Sequence, residues 1–317
     1  MAFMTFIPGI ELSRRFYAEA VAPVVGGRHT AALVGPGSEV LGFDTGRSTD
    51  HDWTARVFLF LPEVRAVDVP ATFLGHPVKL VAATLDGWTR GFLGFDPRHP
   101  GPRDWLATPT QVFAEFTGGA VFHDDLGFAP LRQRLAWYPD DVWRYVLACQ
   151  WQRIGQEEAF VGRCGEVGDE LGSAVVAARL VRDLMRLCLL MARRYPPYSK
   201  WLGSAFGRLP AAAALSPHLT GALAATSWPE RERHLVAAYE HVAGLHNALG
   251  LTERVDPRAR PFFDRPFRVI DAGRFVTPLL AGTSVMHPIG AIDQFVDSTD
   301  ALGHRELTRA VVDCAHG

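Results

Sequence analysis

Residues 31–61 read AALVGPGSEVLGFDTGRSTDHDWTARVFLFL. The apolar runs at its two ends, 31–34 and 55–61, predict β-strands, and a polar loop containing glycine connects them. The first run leads into Gly37-Ser38, and Asp50-His51-Asp52 stands just before the second run. Residues i and i+2 of a strand point to the same face, so the carboxylates of Asp50 and Asp52 are expected to point to one place.

The residue types in this loop predict a particular chemistry. Paired carboxylates suit a hard cation with oxygen ligands, such as Mg²⁺. A Gly37-Ser38 turn lets backbone N–H groups come close to a phosphate. Together these residues predict a site for a metal-bound nucleoside triphosphate. A capped or solvated strand start is the alternative explanation for Asp50 and Asp52, and the flanking apolar runs favour the metal site.

Eleven residues separate Ser38 from Asp50. This arrangement resembles the nucleotidyltransferase superfamily of the DNA polymerase β type, whose signature is a Gly-Ser pair, a short spacer and an Asp-x-Asp pair on the next strand. Gly37, Ser38, Asp50 and Asp52 each match a position of that signature. Over most of the chain, stretches such as GSEVLGFD, STDHDW, CGEVGDELGS and PYSKW resemble a bacterial family of uncharacterised proteins described as nucleotidyltransferases.

The resemblance implies a reaction and its co-substrates. Asp50 and Asp52 are expected to hold Mg²⁺, while Gly37 and Ser38 hold the β- and γ-phosphates of a nucleoside triphosphate, with ATP as the leading candidate. Lys200, in PYSKW, is expected to contact the triphosphate, with an exposed lysine at a helix start as the alternative. The expected activity is transfer of a nucleoside monophosphate to a hydroxyl of a small molecule of the antibiotic or natural-product type.

The chain departs from this superfamily on the strand after the aspartates. Related enzymes carry a third carboxylate there, whereas residues 77–84 read PVKLVAAT and contain no acid. Asp86, which follows this run, and Glu166, in the helical half of the chain, are the candidates for the missing catalytic carboxylate. Glu166 and Glu170 are four residues apart and are expected to share a helix face that lines the site, with an acidic first turn that suits the helix dipole as the alternative.

Two further residues of the loop have less specific patterns. Arg47 stands just before the aspartates and is a candidate phosphate ligand, with an exposed loop arginine as the equal alternative. His51 alternates with Asp50 and Asp52, so it is expected to point to the opposite face and to pack rather than to bind metal.

The remaining pattern predicts an α+β protein of two domains. Residues 1–130 are expected to form a minimal polymerase-β-type α/β domain with a third strand at 77–84, and residues 131–317 to form a mainly helical domain that binds the acceptor. This order of domains resembles kanamycin nucleotidyltransferase-type two-domain proteins. Helical periodicity and capping residues predict helices over 11–25, 104–115, 142–160, 166–195, 198–209 and 230–249.

Composition limits the partners. The net charge of −2 favours neither a nucleic acid nor a membrane surface as a partner. The N-terminus lacks the features of a signal peptide, and four cysteines without a CxxC pair are typical of free thiols in a reducing cytoplasm, where the protein is expected to act. A homodimer is compatible with the sequence, which does not decide the oligomeric state.

Two other functions stay open at this point. Without a third carboxylate, the chain could be a nucleotide-binding or scaffold protein that has no transferase activity. It could also be a nucleotidyltransferase that modifies RNA ends or proteins, although the near-neutral charge argues against RNA.

Overall fold

A computed structural model describes residues 6–50, 53–282 and 288–316, apart from the side chain of Asp50. The chain divides into two compact units. The sheet unit contains the residues up to Asp104 together with Thr108–Trp137, and the helical unit contains Trp105–Ala107 together with the residues from Tyr138 onward. The mixture of a sheet with many helices confirms the predicted α+β class.

The sheet unit begins with a nearly continuous helical stretch, as predicted for 11–25. Helix α1 spans Gly9–Phe16, a π-helical segment spans Tyr17–Val21, and α2 spans Ala22–Val25. Gly26 follows with a φ of +54°, a conformation that glycine adopts readily and that ends the helix.

Five strands form the sheet in the order β3-β4-β2-β1-β5. β1 pairs antiparallel with β2 and with β5, whereas β2 and β4 run parallel. The three predicted strands are confirmed as β1, β2 and β4. The five strands are Thr30–Leu33, Ala55–Phe60, Thr72–Phe73, His76–Ala83 and Ala120–Asp124, in chain order.

The two faces of β2 pack against different partners because alternate side chains point to opposite sides. Val57 and Leu59 join Leu12 and Phe16 of α1 in one buried cluster. The aromatic rings of the other face form a second cluster in which Phe58 and Phe60 contact Trp88, and Phe128 also takes part. Both faces of β2 are therefore covered. This packing fixes the position at which the preceding loop joins the sheet.

Helices α3 to α6 follow β4 and flank β5. The prediction of one helix over 104–115 is wrong: α4 ends at Ala107 and α5 begins at Thr110. Pro109 causes the break, because a proline lacks an N–H group and disfavours helical geometry in the residue before it. Thr108 is extended accordingly, with a φ of −94° and a ψ of 120°. The four helices are Leu85–Leu93, Pro102–Ala107, Thr110–Thr117 and Phe128–Arg134.

The helical unit is built mainly from α7 to α12, and most of its predicted helices are present. The predicted helix over 166–195 is shorter, since α9 begins at Glu170 with Asp169 as its N-cap, and the Asp169 carboxylate accepts a hydrogen bond from the Gly172 amide at 2.7 Å. The six helices are Asp140–Glu157, Phe160–Glu166, Glu170–Met191, Ser199–Gly207, Ala212–Ala224 and Trp228–Ala248.

Short elements complete the helical unit. A two-stranded ribbon precedes four further helices, of which α13 packs on α7 by stacking Phe275 on Trp151. These elements are β6 Arg260–Pro261, β7 Arg268–Val269, α13 Gly273–Leu280, α14 Ile292–Phe295, α15 Thr299–Gly303 and α16 Arg305–His316.

Two sequence expectations concern the chain as a whole. All four cysteines are free thiols; Cys149 and Cys188 are buried, while Cys314 is exposed. Within the described ranges, every helix is too short or too polar to cross a membrane.

Candidate functional site

The Gly37-Ser38 turn lies directly beyond the carboxyl end of β1. Gly37 has a φ of +147°, and a side chain at this position would collide with the carboxylate of Glu39. The Gly37 carbonyl accepts a hydrogen bond from the Val40 amide at 3.2 Å, and the Ser38 carbonyl accepts one from the Phe43 amide at 2.8 Å. Glycine is therefore required here by both backbone conformation and space.

A buried ion pair holds the turn against the sheet. Arg56, on β2, donates from Nη2 to Glu39 Oε1 at 2.8 Å and to the Pro36 carbonyl at 2.6 Å. The two side chains are only 14% and 11% exposed. Burial lowers the pKa of Arg56, and the negative charge of Glu39 opposes that effect. The pair ties residues on both sides of Gly37 to the start of β2.

Asp44 fixes the second half of the same loop. Its Oδ2 accepts hydrogen bonds from the Gly9 amide at 2.6 Å and from Trp53 Nε1 at 3.4 Å. Trp53 itself is almost fully buried. The loop is thus anchored to α1 and to the residue that immediately follows Asp52.

The predicted metal ligands, Asp50 and Asp52, belong to the same stretch of the sequence. Gly46–Asp50 forms one turn of 3-10 helix, and β2 begins at Ala55. The side chain of Asp50 and the whole of His51 and Asp52 lie outside the described residues, so their assignment as metal ligands stays a prediction. Arg47 is exposed on the 3-10 turn, with its amide donating to Thr45 Oγ1 at 3.3 Å.

Strand β4 lies beside β2, and the β4 residues in register with β2 include a lysine but no acid. Arg56 is the register partner of Lys79 on β4. An acid does approach from α5: the Glu115 main-chain carbonyl accepts a hydrogen bond from the Gly35 amide at 3.1 Å, and its carboxylate accepts one from Gln111 at 2.7 Å. Burial raises the pKa of Glu115, while Gln111 and the charge of Arg56 lower it.

Sequence reasoning missed Glu39, Arg56 and Glu115. The first two flank the recognised motif, and their position beside it was the available signal. Glu115 had no such signal, because only the packing of α5 brings it to the turn at Gly35.

Asp86, the first candidate for the third carboxylate, lies in the first turn of α3. Its Oδ1 accepts from Arg98 Nη2 at 2.5 Å, and its side chain is 60% exposed. Arg98 also contacts Asp96. Asp86 therefore belongs to an exposed ion-pair cluster, and the described contacts do not join it to the Gly37-Ser38 turn.

Glu166 and Glu170 do not share a helix face, contrary to the expectation from their spacing. Glu166 is the last residue of α8, and Glu170 is the first of α9, with Gly168 between them at a φ of +77°. Glu166 pairs with Arg265 at 3.2 Å. Glu170 accepts from the Trp228 amide at 3.2 Å and pairs with buried Arg231, which gives it a structural contact to α12.

Lys200 lies near the start of α10, with its Nζ 5.0 Å from the centre of the Trp201 ring. That distance is within the range of a cation–π contact. Lys200 and Glu166 belong to the helical unit, whereas the Gly37-Ser38 turn belongs to the sheet unit. Their assignment to the site therefore stays a prediction.

The helical unit also contains a cavity of about 440 Å³ beside Glu158. The Glu158 carboxylate accepts hydrogen bonds from the Asp271 and Ala272 amides, both at 2.9 Å. Burial raises its pKa to about 7 against the effect of these hydrogen bonds. Phe262 and Phe263 contribute aromatic rings to the wall of the cavity.

Comparisons with known proteins give two similarities. A family model described as a domain of unknown function (DUF4037) matches residues 105–202. The chain is also similar to a solved structure, a nucleotidyltransferase-like protein from Exiguobacterium sibiricum 255-15, at 13% sequence identity and a TM-score of 0.36. That alignment covers 85% of this chain and 88% of the other. The curated proteins contain no match.

Proposed function

We propose that this protein transfers a nucleoside monophosphate from a nucleoside triphosphate to a hydroxyl group of a small molecule and releases pyrophosphate. The observation that carries the proposal is the anchored loop between β1 and β2. Because these strands are antiparallel, the residues that follow β1 and those that precede β2 lie at one edge of the sheet. We propose that the Gly37-Ser38 turn and the Asp50/Asp52 segment act together at this edge.

The residues of this edge have chemically distinct roles. The tight turn at Gly37 lets main-chain N–H groups approach the β- and γ-phosphates. Asp50 and Asp52 offer the carboxylate oxygens that Mg²⁺ prefers, and Mg²⁺, when bound, neutralises charge on the triphosphate. Arg47 and Lys200 are the proposed additional cations for the phosphates. Arg56 has a different role, since Glu39 already neutralises it and the pair fixes the shape of the turn.

Glu115 is our candidate for the proton acceptor. In the proposed step, the hydroxyl oxygen of the acceptor forms a bond to the α-phosphorus, the bond from that phosphorus to pyrophosphate breaks, and the hydroxyl proton passes to a carboxylate. A carboxylate with a raised pKa suits this role. Glu115 meets that condition because of its burial, and it contacts the backbone of the Gly35 turn. Asp86 is held in an exposed ion pair, which makes it the weaker candidate.

The Glu158 cavity supports a small acceptor rather than a polymer. Its volume of about 440 Å³ falls within the range of small-molecule sites, and its wall combines aromatic rings with a few polar groups. We therefore propose this cavity as the place where the helical unit binds the acceptor. Phe262→Ala is expected to raise the KM for the acceptor more than the KM for the nucleotide.

One observation favours a second candidate, a nucleotide-binding protein without transferase activity. The six β4 residues in register with β2, Val78–Ala83, contain no carboxylate. If Glu115 cannot replace the missing acid, the protein binds a nucleotide but does not turn it over.

Calorimetric titration with ATP, GTP, CTP and UTP, each with and without Mg²⁺, tests both candidates. We expect Mg²⁺-dependent binding of at least one nucleotide, and its loss in an Asp50→Asn, Asp52→Asn double variant. Asp68→Asn is the matched control, because Asp68 is an exposed loop aspartate of the same unit. Pyrophosphate release with a panel of hydroxylated acceptors then separates an enzyme from a silent binder. Nucleotide binding that survives the double substitution would overturn the proposed site.

A further inference from the structure

Three potential metal ligands meet at the other end of the same sheet. His29 immediately precedes β1, His123 lies on β5, and Asp125 immediately follows β5. One ligand atom from each residue lies within 4.8 Å of the others. The two imidazole rings stack with their centres 4.3 Å apart. We call these three residues the histidine cluster.

The pairing of β1 with β5 creates the cluster. Ala31 is the register partner of His123, and Thr30 is that of Asp124. The main chain closes the end of the pair, since the Asp125 amide donates to the His29 carbonyl at 3.0 Å. The His29 amide lies 3.3 Å from Asp125 Oδ2. The relative positions of the three side chains are therefore set by strand pairing rather than by a mobile loop.

The surroundings of His29 favour a metal-binding form of its ring. Nδ1 lies 2.9 Å from the Gly27 carbonyl oxygen, which can only accept a hydrogen bond. Nδ1 must then carry the proton, and the lone pair is left on Nε2. Histidine ligands of metals are commonly held by such a bond from the second ring nitrogen to a carbonyl. Nε2 lies 3.0 Å from the Tyr17 hydroxyl, which donates to this lone pair, and a bound cation would take the place of that hydrogen bond.

His123 and Asp125 complete the ligand set. His123 Nε2 lies 2.8 Å from Asp125 Oδ2. This nitrogen is buried, yet it makes no hydrogen bond of acceptable geometry within the described part of the chain. The two side chains as wholes are 38% and 39% exposed, so the cluster lies at the protein surface although His123 Nε2 itself is shielded.

Two neighbouring charged residues direct their hydrogen bonds away from these ligand atoms. The Asp124 carboxylate points elsewhere and accepts hydrogen bonds from the Gly127, Phe128 and Ala129 amides at 2.8–2.9 Å. Arg28 donates a hydrogen bond to the main-chain carbonyl of Asp125 at 2.8 Å. This hydrogen bond therefore does not use the carboxylate oxygens of Asp125.

We propose that His29, His123 and Asp125 bind a Zn²⁺-class divalent cation, with water or a small anion at the open position. Two imidazoles and one carboxylate are typical zinc ligands, whereas Mg²⁺ prefers oxygen ligands alone. Ligand atoms of a tetrahedral zinc site lie about 3.3 Å apart, as follows from bond lengths of roughly 2.0 Å. The half-exposed His123 and Asp125 side chains have room for the small adjustment that this requires.

The proposed cation site is independent of nucleotidyl transfer. Gly37 and Ser38 follow the carboxyl end of β1, while His29 precedes its amino end. Loss of one function therefore does not entail loss of the other.

The test is titration of the EDTA-treated, dialysed full chain with Zn²⁺ and with Co²⁺ in a buffer that contains Mg²⁺. We expect one Zn²⁺ per chain by calorimetry, and visible Co²⁺ absorption bands of a four-coordinate site without a thiolate charge-transfer band. His123→Ala and Asp125→Asn are each expected to weaken Zn²⁺ binding at least about tenfold. His218→Ala is the matched control, because His218 also lies near a second histidine, with ring centres 6.3 Å apart.

The variants also separate misfolding from ligand loss. Asp125→Asn keeps the side-chain shape and an oxygen for the His29 amide, so without metal it should still unfold in one cooperative transition, at a temperature only slightly below that of the unchanged protein. Zn²⁺ binding that is absent, or that persists unchanged in both His123→Ala and Asp125→Asn, would overturn the proposal. Binding lost equally in His218→Ala would show that Zn²⁺ is bound elsewhere and would overturn it as well.

Discussion

The two ends of the five-stranded sheet differ in the chemistry of their side chains. The carboxyl end of β1 leads into Gly37 and Ser38, with Glu39, Arg56 and Glu115 around them. The amino end of the same strand leads back to the histidine cluster. The first end offers main-chain amides and carboxylates, which suit phosphates and Mg²⁺. The second offers imidazoles, which suit zinc and related metals.

The difference shows how a site can be visible or invisible in a sequence. The motif residues of the first end, Gly37, Ser38, Asp50 and Asp52, lie within one stretch of the chain, where spacing alone groups them. Those of the second end come from both ends of the sheet unit, and only the β1–β5 pairing joins them. One sheet thus supports a site that a motif can reveal and another that only topology can reveal.

The largest expected effect is a separation of the two ends. The Asp50→Asn, Asp52→Asn double variant should lower pyrophosphate release at least about a hundredfold, because it removes the charge stabilisation of the transition state. Its Zn²⁺ titration should be unchanged. His123→Ala should give the reverse pattern. A single variant that abolished both properties while remaining folded would contradict the separation.

The next effect tests the buried pair at the first end. Glu39→Ala leaves Arg56 buried without its carboxylate, which costs about 3–5 kcal/mol of unfolding free energy for such pairs. Urea unfolding measures this loss. Glu63→Ala, at an exposed loop position of the same unit, serves as the control and should change stability by no more than about 0.5 kcal/mol. Equal losses in the two variants would mean that the pair does not anchor the turn.

A smaller effect is expected at the glycine of the turn. Gly37→Ala forces a side chain into a left-handed backbone and onto Glu39, at a cost of about 1–3 kcal/mol. Nucleotide binding should weaken in parallel. Gly46→Ala is the control within the same loop, since a Cβ there meets no atom within 4 Å. Identical behaviour of the two variants would show that the turn tolerates a side chain.

The smallest effect is a difference in how protein stability depends on pH through two carboxylates, one at each end of the sheet. Burial raises the pKa of Glu115 above its ordinary value of 4.5, so its contribution to stability is present below pH 4.5 and is lost as the pH rises. The contacts with His123 and the His29 amide lower the pKa of Asp125 below 3.8. Its contribution is present above pH 3.8 and is lost as the pH falls.

Urea unfolding between pH 3 and pH 8 measures both contributions. Glu115→Gln should flatten the decline in unfolding free energy above pH 4.5, and Asp125→Asn should flatten the loss below pH 3.8. The same direction of change in both variants would contradict the assigned pKa shifts.

The comparison also explains which elements were predictable. Strands β1, β2 and β4 were predicted because their apolar runs are bounded by glycine and proline. β5 was missed because Ala120–Asp124 ends in His and Asp and does not alternate clearly. The predicted helix over 166–195 failed at its start, where the turn at Gly168 and the Asp169 cap separate Glu166 from Glu170. Helical spacing cannot reveal such a break, because both acids still fit a helix.

The sequence by itself determined the α+β class, the main strands and helices, and the turn at Gly37-Ser38. These features depend on the period of apolar residues and on backbone preferences, which act between close neighbours in the chain. Only the tertiary structure decided that Arg56 neutralises Glu39, that Glu115 reaches the turn, and that His29, His123 and Asp125 meet. These contacts depend on strand register and helix packing, since distant side chains come together only when the whole core has formed.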